Sequence, residues 1–292
     1  MLVAQGSPNF SHAPDTLEYV SDLQQRIIGW YEQIGTLTPD SIEARRDVEL
    51  VIAKLDEGSL RVAELVDGEV VVHEWVKFAI LMLFRLRGLE PSEAGPFHYL
   101  DKLDLKTNYA AAGVRVVPGG SARRGSFLSP GVILMPSYVN IGAWVGPGTM
   151  VDTWATVGSC AQIGANVHLA GGVGIGGVLE PPNAKPVVIE DEAFIGSRCM
   201  ITEGARVGKG AVLGSGTILN PSIPVIDAQT GEELSRGYVP DYCVAVGASR
   251  RREYPGGEFF LPCVLVVSRI PEGERHNKAA LNAILRDNGI AT

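Results

Sequence analysis

Residues 133–175 read ILMPSYVNIGAWVGPGTMVDTWATVGSCAQIGANVHLAGGVGI, and in this stretch an aliphatic residue returns every six positions. Beginning one step earlier, the series runs without a gap through Phe127, Ile133, Val139, Val145, Val151, Val157, Ile163, Leu169 and Ile175. It resumes further along the chain at Ile189, Ile195, Ile201, Val207, Leu213 and Leu219. This period fits neither an α-helix, which repeats about every 3.6 residues, nor an ordinary strand, which repeats every two.

Smaller or β-branched residues precede the large ones by two positions, at Gly131, Ser137, Ala143, Thr149, Ala155, Ala161, Val167, Val173, Val187, Ala193, Cys199, Ala205, Ala211 and Thr217. A residue repeated every six positions keeps one orientation only if each hexad forms a flat side and a corner, so three hexads close a triangular coil. The sequence therefore predicts a mainly β protein built on a left-handed parallel β-helix, with the large series pointing inward. A glycine-rich β-sandwich is the alternative.

The series is interrupted once, because Ile175 and Ile189 stand fourteen positions apart instead of six. Pro181 and Pro182 fall in this interval, and adjacent prolines cannot remain in a strand ladder. The sequence therefore predicts an external loop near residues 177–188. Loops that leave a β-helix on one face often line its binding site.

The segments on either side of the repeat predict a mixture of helices and strands. The expected N-terminal elements are a helix over residues 15–34, a helix from Thr38 to Gly58, a hairpin around Asp67-Gly68, and a buried helix over residues 75–86. The expected C-terminal elements are a hairpin in VIDAQTGEEL, strands over residues 242–247 and 259–270, and a helix over residues 277–288.

These elements suggest three domains. Residues 1–113 form an N-terminal α+β domain with its connector, residues 114–220 the β-helix with its external loop, and residues 221–292 a small C-terminal β/α extension.

Composition narrows the class of protein. With 292 residues, of which 46% are hydrophobic, the chain can bury a large core. A net charge of −8 argues against nucleic acid or an anionic membrane as the partner. No export signal is visible at the N-terminus, and the four cysteines form no C-x-x-C pair. We therefore expect reduced thiols and a cytoplasmic location.

Several segments together resemble one family of acyltransferases. They are LDEGSLRVAE, HEWVKFAILMLFR, RVVPGGSARRGSF and, above all, the nearly continuous run from Ile133 to Pro181. In these segments the chain is similar to tetrahydrodipicolinate N-succinyltransferases of the diaminopimelate route to lysine. The resemblance implies transfer of a succinyl group from succinyl-CoA, as a co-substrate, to the nitrogen of a cyclic imine dicarboxylate after hydration and ring opening. It also implies a homotrimer with sites between subunits, and neither a permanently bound cofactor nor a metal.

The resemblance also implies particular site residues. The family's substrate-contacting arginine and aspartate correspond to Arg115 in VRVVP and Asp152 in MVDTW. Asp152, the expected catalytic carboxylate, directly follows Val151 of the inward series and should therefore face outward. One position departs from the pattern: Met200 in FIGSRCMI stands where the family has a second catalytic glutamate.

Other residues are candidates for supporting roles. His168, which also faces outward, and Glu203 are possible second acid/base groups. Arg198 shares a hexad with Met200 and has a guanidinium suited to a substrate carboxylate. Gly177 and Gly196 could admit the pantetheine arm of the coenzyme, although the geometry of a corner explains either glycine equally well.

Other functions of this fold match the sequence less well. A γ-type carbonic anhydrase needs three zinc-binding histidines, whereas the coils contain only His168. A nucleotidyltransferase would have a glycine-rich phosphate loop near the N-terminus, and an ice-binding helix would have an array of threonines. The alternative that stays open is a related N-acyltransferase that transfers an acetyl or succinyl group to another amino acid, because Met200 alters the expected site.

Overall fold

The computed structural model describes residues 15–272 and residue 286. The helix predicted over residues 277–288 therefore lies outside the described residues. None of the helices in the described part of the chain has the length and apolar content needed to cross a bilayer.

Three α-helices form the first layer of the N-terminal region: α1 (Asp15–Glu32), α2 (Ile42–Glu57) and α3 (Glu74–Leu86). A short 3-10 helix, Ile34–Thr36, follows α1, so the predicted first helix ends in a tighter turn. The predicted start of α2 at Thr38 is wrong. The chain makes a turn in which the Ser41 N–H bonds the Thr38 carbonyl, and Ser41 becomes the residue that caps the helix.

Two hairpins accompany these helices. The predicted one consists of β1 (Ala63–Val66) and β2 (Glu69–Val72), with Asp67 and Gly68 both at positive φ in the turn, as a two-residue hairpin requires. The second hairpin, β3 (Glu90–Ala94) and β4 (Phe97–Asp101), was not predicted. Sequence reasoning missed this second hairpin because its strands face solvent on both sides and show no buried alternation.

Seventeen two-residue strands follow in the repeat region. In chain order they are β5 (Arg115–Val116), β6 (Ser121–Ala122), β7 (Phe127–Leu128), β8 (Ile133–Leu134), β9 (Tyr138–Val139), β10 (Trp144–Val145), β11 (Met150–Val151), β12 (Thr156–Val157), β13 (Gln162–Ile163), β14 (His168–Leu169), β15 (Gly174–Ile175), β16 (Val188–Ile189), β17 (Phe194–Ile195), β18 (Met200–Ile201), β19 (Arg206–Val207), β20 (Val212–Leu213) and β21 (Ile218–Leu219).

Every third strand pairs in parallel, so the chain winds into a coil with three walls. The first wall contains β5, β8, β11, β14, β17 and β20; the second contains β6, β9, β12, β15, β18 and β21; the third contains β7, β10, β13, β16 and β19. We call the corner between the first and second walls the first edge, the next corner the second edge, and the corner between the third and first walls the third edge. The predicted parallel β-helix is confirmed by this arrangement.

The interior of the coil is filled by the large residues of the series. From Val139 onward, all of its members are at most 2% exposed. The first two assignments are wrong, because Leu128 and Leu134 point inward while Phe127 and Ile133 face outward. A turn of the coil that passes through the corner between β8 and β9 contains 17 residues instead of 18: Ala122 pairs with Val139 (139 − 122 = 17), whereas Val139 pairs with Val157 (157 − 139 = 18).

The shortened corner also changes the small inward positions. Val132 is buried where Gly131 was predicted, and Gly131 is exposed. The missing residue falls in the corner between β8 and β9, which contains Pro136. A six-residue count continued backward through that corner therefore places every side chain one position too early.

The predicted external loop leaves the coil between β15 and β16. It folds back onto the N-terminal helices, where Lys77 of α3 donates a hydrogen bond of 2.6 Å from Nζ to the carbonyl of Ala184. Leu179 of the loop packs against the N-terminal core. That core also contains Ile141 and Cys160 of the coil, so the N-terminal region packs against the second edge.

The C-terminal region begins with the predicted hairpin, β22 (Pro224–Asp227) and β23 (Glu233–Arg236), and β24 (Tyr238–Val239) extends the third wall. Two long strands follow, β25 (Cys243–Tyr254) and β26 (Gly257–Arg269). Both were predicted, but β25 runs seven residues beyond its predicted end at residue 247 (254 − 247 = 7). It continues the first wall beside β20 and pairs antiparallel with β26 along its whole length.

Candidate active site

Asp152 and His168 come together on the outer face of the first wall. Asp152 follows β11, and His168 opens β14, the neighbouring strand. The imidazole Nε2 lies 3.5 Å from Oδ2 of Asp152. Both side chains are partly exposed, so the predicted outward orientation is confirmed for each. One turn of the coil thus brings together an acid and a histidine that are 16 positions apart in sequence (168 − 152 = 16).

The carboxylate of Asp152 is fixed by its neighbour. Thr153 donates to Oδ1 from its backbone N–H at 2.6 Å and from its hydroxyl at 3.2 Å. Partial burial acts to raise the pKa of Asp152, but the Thr153 N–H, His168 and the Thr153 hydroxyl together outweigh it and lower the pKa. Asp152 is therefore ionised at neutral pH, and Oδ2 accepts no hydrogen bond from Thr153.

The histidine is supported from a third strand. Phe194 of β17 meets the His168 ring edge to face, with 5.3 Å between ring centroids and an interplanar angle of 77°. Sequence reasoning missed Phe194 and Thr153. Thr153 could have been found, since a threonine directly after an outward aspartate is placed to cap its carboxylate. Phe194 shows no such local signal, because it lies 26 positions from His168 (194 − 168 = 26).

A notch lies along the first edge above Asp152. The corner that contains Thr153 is followed in the next coil by Gly171 and Gly172, and in the coil after that by Arg198. The side chain of Arg198 lies over Gly172, where an added Cβ would stand 2.8 Å from the Arg198 Cδ. The two glycines thus leave room for Arg198 to extend along the edge toward the corner of Asp152. Trp154 is exposed to 73% below the notch.

Arg115 lies on the same wall but farther away. It opens β5, and Ile133 and Met150 occupy the matching positions on the strands between it and His168. Three strand spacings of about 4.8 Å separate the Arg115 backbone from that of His168, roughly 14 Å in all. The structure therefore places Arg115 and Asp152 on one wall without direct contact.

Two other candidates lie elsewhere on the coil. Met200 faces outward from the second wall and is exposed to 44%. Glu203 is at the second edge, beside residue Lys185 of the external loop, whose carbonyl approaches Gly204. Within one chain, Glu203 is thus on a different edge from Asp152.

Gly177 and Gly196 each lie against the backbone of a neighbouring coil. A Cβ on Gly177 would stand 2.7 Å from the N of Ser159, and one on Gly196 would stand 2.5 Å from the O of Leu213. Contact between stacked coils therefore accounts for the absence of a side chain at both positions.

Thiol and metal chemistry find no support among the described side chains. All four cysteines are free and buried, and burial raises the pKa of the Cys160 thiol to about 12. In residues 15–272 no group of three or more histidine, cysteine, aspartate or glutamate side chains is placed to hold a metal ion.

Comparison with known proteins adds to this geometry. Residues 22–86 match the sequence model described as tetrahydrodipicolinate N-succinyltransferase N-terminal, and residues 186–221 match the one described as hexapeptide repeat of succinyl-transferase. Among solved structures, a hexapeptide transferase family protein from Anaplasma phagocytophilum covers 60% of this chain and 92% of its own, at 16% identity and a TM-score of 0.35. That similarity is too low to support an argument.

Several curated relatives carry the name 2,3,4,5-tetrahydropyridine-2,6-dicarboxylate N-succinyltransferase, and three of them show the extent of the similarity. The protein from Alkalilimnicola ehrlichii is 47% identical, with 91% of this chain and 100% of its own covered. The Aeromonas hydrophila protein is 45% identical, with 91% and 98% covered, and the Acinetobacter baylyi protein 48% identical, with 84% and 90% covered.

The repeat, the three-walled coil and these matches define a hexapeptide-repeat acyltransferase. Identity of nearly one half extends over nine tenths of the chain and includes the helical N-terminal region. The chain belongs to the tetrahydrodipicolinate N-succinyltransferase family.

Proposed function

We propose that this enzyme transfers the succinyl group of succinyl-CoA to the nitrogen of tetrahydrodipicolinate, with hydration and ring opening, in the diaminopimelate route to lysine. The observation that carries the proposal is the outward Asp152–His168 pair on the wall of a chain of this family. The name of the relatives supplies the acyl group and the acceptor.

The reaction needs a proton acceptor. The nitrogen attacks the thioester carbonyl carbon, the carbon–sulfur bond breaks, and the proton lost by nitrogen balances the one gained by the departing thiolate. We assign proton acceptance to Asp152, whose Oδ2 faces outward while Oδ1 is held by Thr153. His168 lies beside Oδ2 and orients it, and Phe194 supports the ring.

The dicarboxylate needs cationic partners. Arg198 extends along the glycine notch toward Asp152, so it is our choice for one carboxylate of the substrate. Arg115 lies on the same wall, and its backbone is roughly 14 Å from that of His168, measured across the paired strands. It therefore suits the far end of an extended acceptor.

We propose that the coil is left-handed and that three chains associate. The support for trimerisation is that the candidate groups form two separate halves. Asp152, His168 and Arg198 are at the first wall and first edge, whereas Met200 and Gly177 are on the second wall and second edge. Two halves on different faces complete one site only when faces of two chains meet.

Further assignments belong to the same proposal. Succinyl-CoA passes along Gly177 and Gly196, Glu203 is a possible second acid/base group in the assembled trimer, and the enzyme works in the cytoplasm. The chain divides into residues 1–113, 114–220 and 221–292.

A second candidate function is acetylation or succinylation of another amino acid. Met200 favours it, because an exposed thioether occupies the position of the carboxylate that resemblance to the family leads one to expect. A thiol-release assay distinguishes the two. Succinyl-CoA and acetyl-CoA are each supplied with tetrahydrodipicolinate or 2-aminopimelate, and we expect turnover with succinyl-CoA and tetrahydrodipicolinate. Faster turnover with acetyl-CoA than with succinyl-CoA would reject the first assignment. Absence of turnover with both acceptors would reject it too.

A further inference from the structure

The hairpin β1–β2 bridges the third wall and leaves a cleft beneath it. At one end Arg61, just before β1, contacts Trp144 and Gln162. At the other end, the carbonyl of Gly68 in the turn accepts a hydrogen bond of 2.6 Å from Nη1 of Arg206. Between these two supports is a cleft of about 490 Å³, which is within the usual range for small-molecule sites.

Arg61 is held firmly in this cleft. Its guanidinium carbon is 4.1 Å from the centroid of the Trp144 ring, and its Nε donates to Oε1 of Gln162 at 3.1 Å. Gln162 is only 4% exposed and is itself fixed, because its amide nitrogen donates to the carbonyl of Cys160 at 2.9 Å. The guanidinium thus has one orientation, and its two terminal nitrogens bond to none of the described residues.

The charge of Arg61 lacks a close counterion. Among residues 15–272, no carboxylate lies within 4 Å of its nitrogens. Burial lowers the pKa of Arg61, and the more distant charges of Glu64 and Asp191 offset that effect in part. A partly buried cation without a counterion costs stability, so the site is preorganised for an anion from outside the chain.

Carboxylates face the same cleft. Asp191 uses Oδ1 to accept the N–H of Ala165, and Oδ2 has no hydrogen bond to a described residue. Glu64 has only a distant contact, 3.7 Å, with His73. By contrast, Glu190 is paired with Arg206 at 2.6 Å. Glu64 and Asp191 therefore remain for a positively charged group.

The balance of charge indicates the class of ligand. Two charges of the lining are already paired, Glu190 with Arg206 and Lys209 with Glu272. The remaining groups are one cation, Arg61, and two anions, Glu64 and Asp191, with a net charge of 1 − 2 = −1. A ligand with one carboxylate and two ammonium groups supplies the anion for Arg61 and cancels this excess. An α-amino acid with a cationic side chain has this pattern.

We propose that the cleft beneath hairpin β1–β2 binds a free basic amino acid, with its α-carboxylate on Arg61 and its ammonium groups on Glu64 and Asp191. This site is distinct from the candidate active site, since it lies on the third wall and third edge while Asp152 is at the first edge. The ligand bridges the hairpin and the coil, so binding stabilises the contact of the N-terminal region with the β-helix.

Titration calorimetry on the full chain tests the proposal, with L-lysine and L-ornithine as probes. Cadaverine, which lacks the carboxylate, and L-glutamate, which lacks the second ammonium, are the comparison ligands. We expect saturable binding of L-lysine or L-ornithine, at least tenfold weaker binding of both comparison ligands, and at least tenfold weaker binding of the probes to Arg61→Gln. Glu64→Gln, a change at a half-exposed side chain, provides a second variant and should also weaken binding.

Two controls locate the binding. Arg46→Gln removes an exposed arginine that does not line the cleft, and Asp152→Asn alters the candidate active site. Both should bind the probes as the wild type does. Loss of binding in Asp152→Asn would place the ligand in the acyl-transfer site and overturn the proposal. Unchanged binding in both Arg61→Gln and Glu64→Gln, equal binding of cadaverine, or no saturable binding at millimolar concentration would overturn it too.

Discussion

Replacing Asp152 by asparagine should abolish most turnover and leave the fold intact. The two hydrogen bonds from Thr153 go to Oδ1, and an asparagine side-chain oxygen accepts both of them. What is removed is the negative charge on Oδ2, the atom that faces His168 at 3.5 Å. The substitution therefore separates the role of Asp152 in catalysis from its role in the corner.

The expected magnitudes differ for the two roles. A positioned proton acceptor contributes about 10²- to 10⁴-fold to the rate, or about 2.7 to 5.4 kcal/mol in activation free energy. Conversion of charge-assisted hydrogen bonds at a partly exposed carboxylate into neutral ones costs about 1 kcal/mol of stability at most. We therefore expect kcat to fall at least 10²-fold while the melting temperature moves by only a few degrees.

The assay is thiol release from succinyl-CoA, with sedimentation and thermal unfolding on the same samples. His168→Gln is the comparison variant. We expect a smaller loss, about tenfold, because in the proposed assignment His168 orients Oδ2 of Asp152 and does not accept the proton itself. In the wild type the acid limb of the pH profile of kcat/KM should lie below pH 3.8, the ordinary value for aspartate, because the pKa of Asp152 is lowered.

Two results would refute this assignment. Turnover of Asp152→Asn within threefold of the wild type would show that the proton goes elsewhere. A larger loss in His168→Gln than in Asp152→Asn would make His168 the acceptor and Asp152 the group that orients it.

Three further substitutions test neighbouring features. Met200→Glu should raise kcat/KM with tetrahydrodipicolinate, since Met200 is 44% exposed and a carboxylate there loses little hydration; a fall with assembly intact would favour the second function. Gly196→Ala should lower stability by about 1 to 3 kcal/mol in urea unfolding, because its Cβ would meet the O of Leu213 at 2.5 Å; a raised KM for succinyl-CoA at unchanged stability would instead indicate a coenzyme contact. Burial lowers the pKa of Lys77, so just below pH 10.5 the unfolded chain binds more protons than the folded chain, and the stability of the wild type rises with pH in that range. In Lys77→Met the free energy of unfolding should lose this pH dependence. Parallel unfolding curves for wild type and Lys77→Met across that window would contradict the expectation.

The repeat made the coil predictable because its period is a local property. Each hexad specifies one side and one corner, and neighbouring coils repeat the same residues in register, so the sequence contains the inward series from Val139 onward. The prediction failed at Phe127 and Ile133, where one corner is a residue shorter. A missing corner residue leaves the alternation of large and small residues intact, so only the pairing of strands shows it.

The sequence also made Asp152 a candidate, partly through its expected outward position, which the structure shows, and partly through a family motif. It could not show that His168 would lie 3.5 Å away, since that contact depends on the number of residues in one full turn and on two side-chain rotamers. The hairpin β3–β4 escaped prediction for a related reason: its side chains face solvent, and exposure leaves no periodic pattern in the sequence.

The architecture thus follows from the sequence alone, because burial of a six-residue repeat imposes its pattern on every coil. The contacts between side chains of different coils, and of different regions of the chain, become visible only in the folded structure. Phe194 supports His168, and Arg61 reaches Trp144, through contacts between residues far apart in sequence. Such contacts depend on how the walls and the N-terminal hairpin pack, and packing between distant segments has no period that a sequence can display.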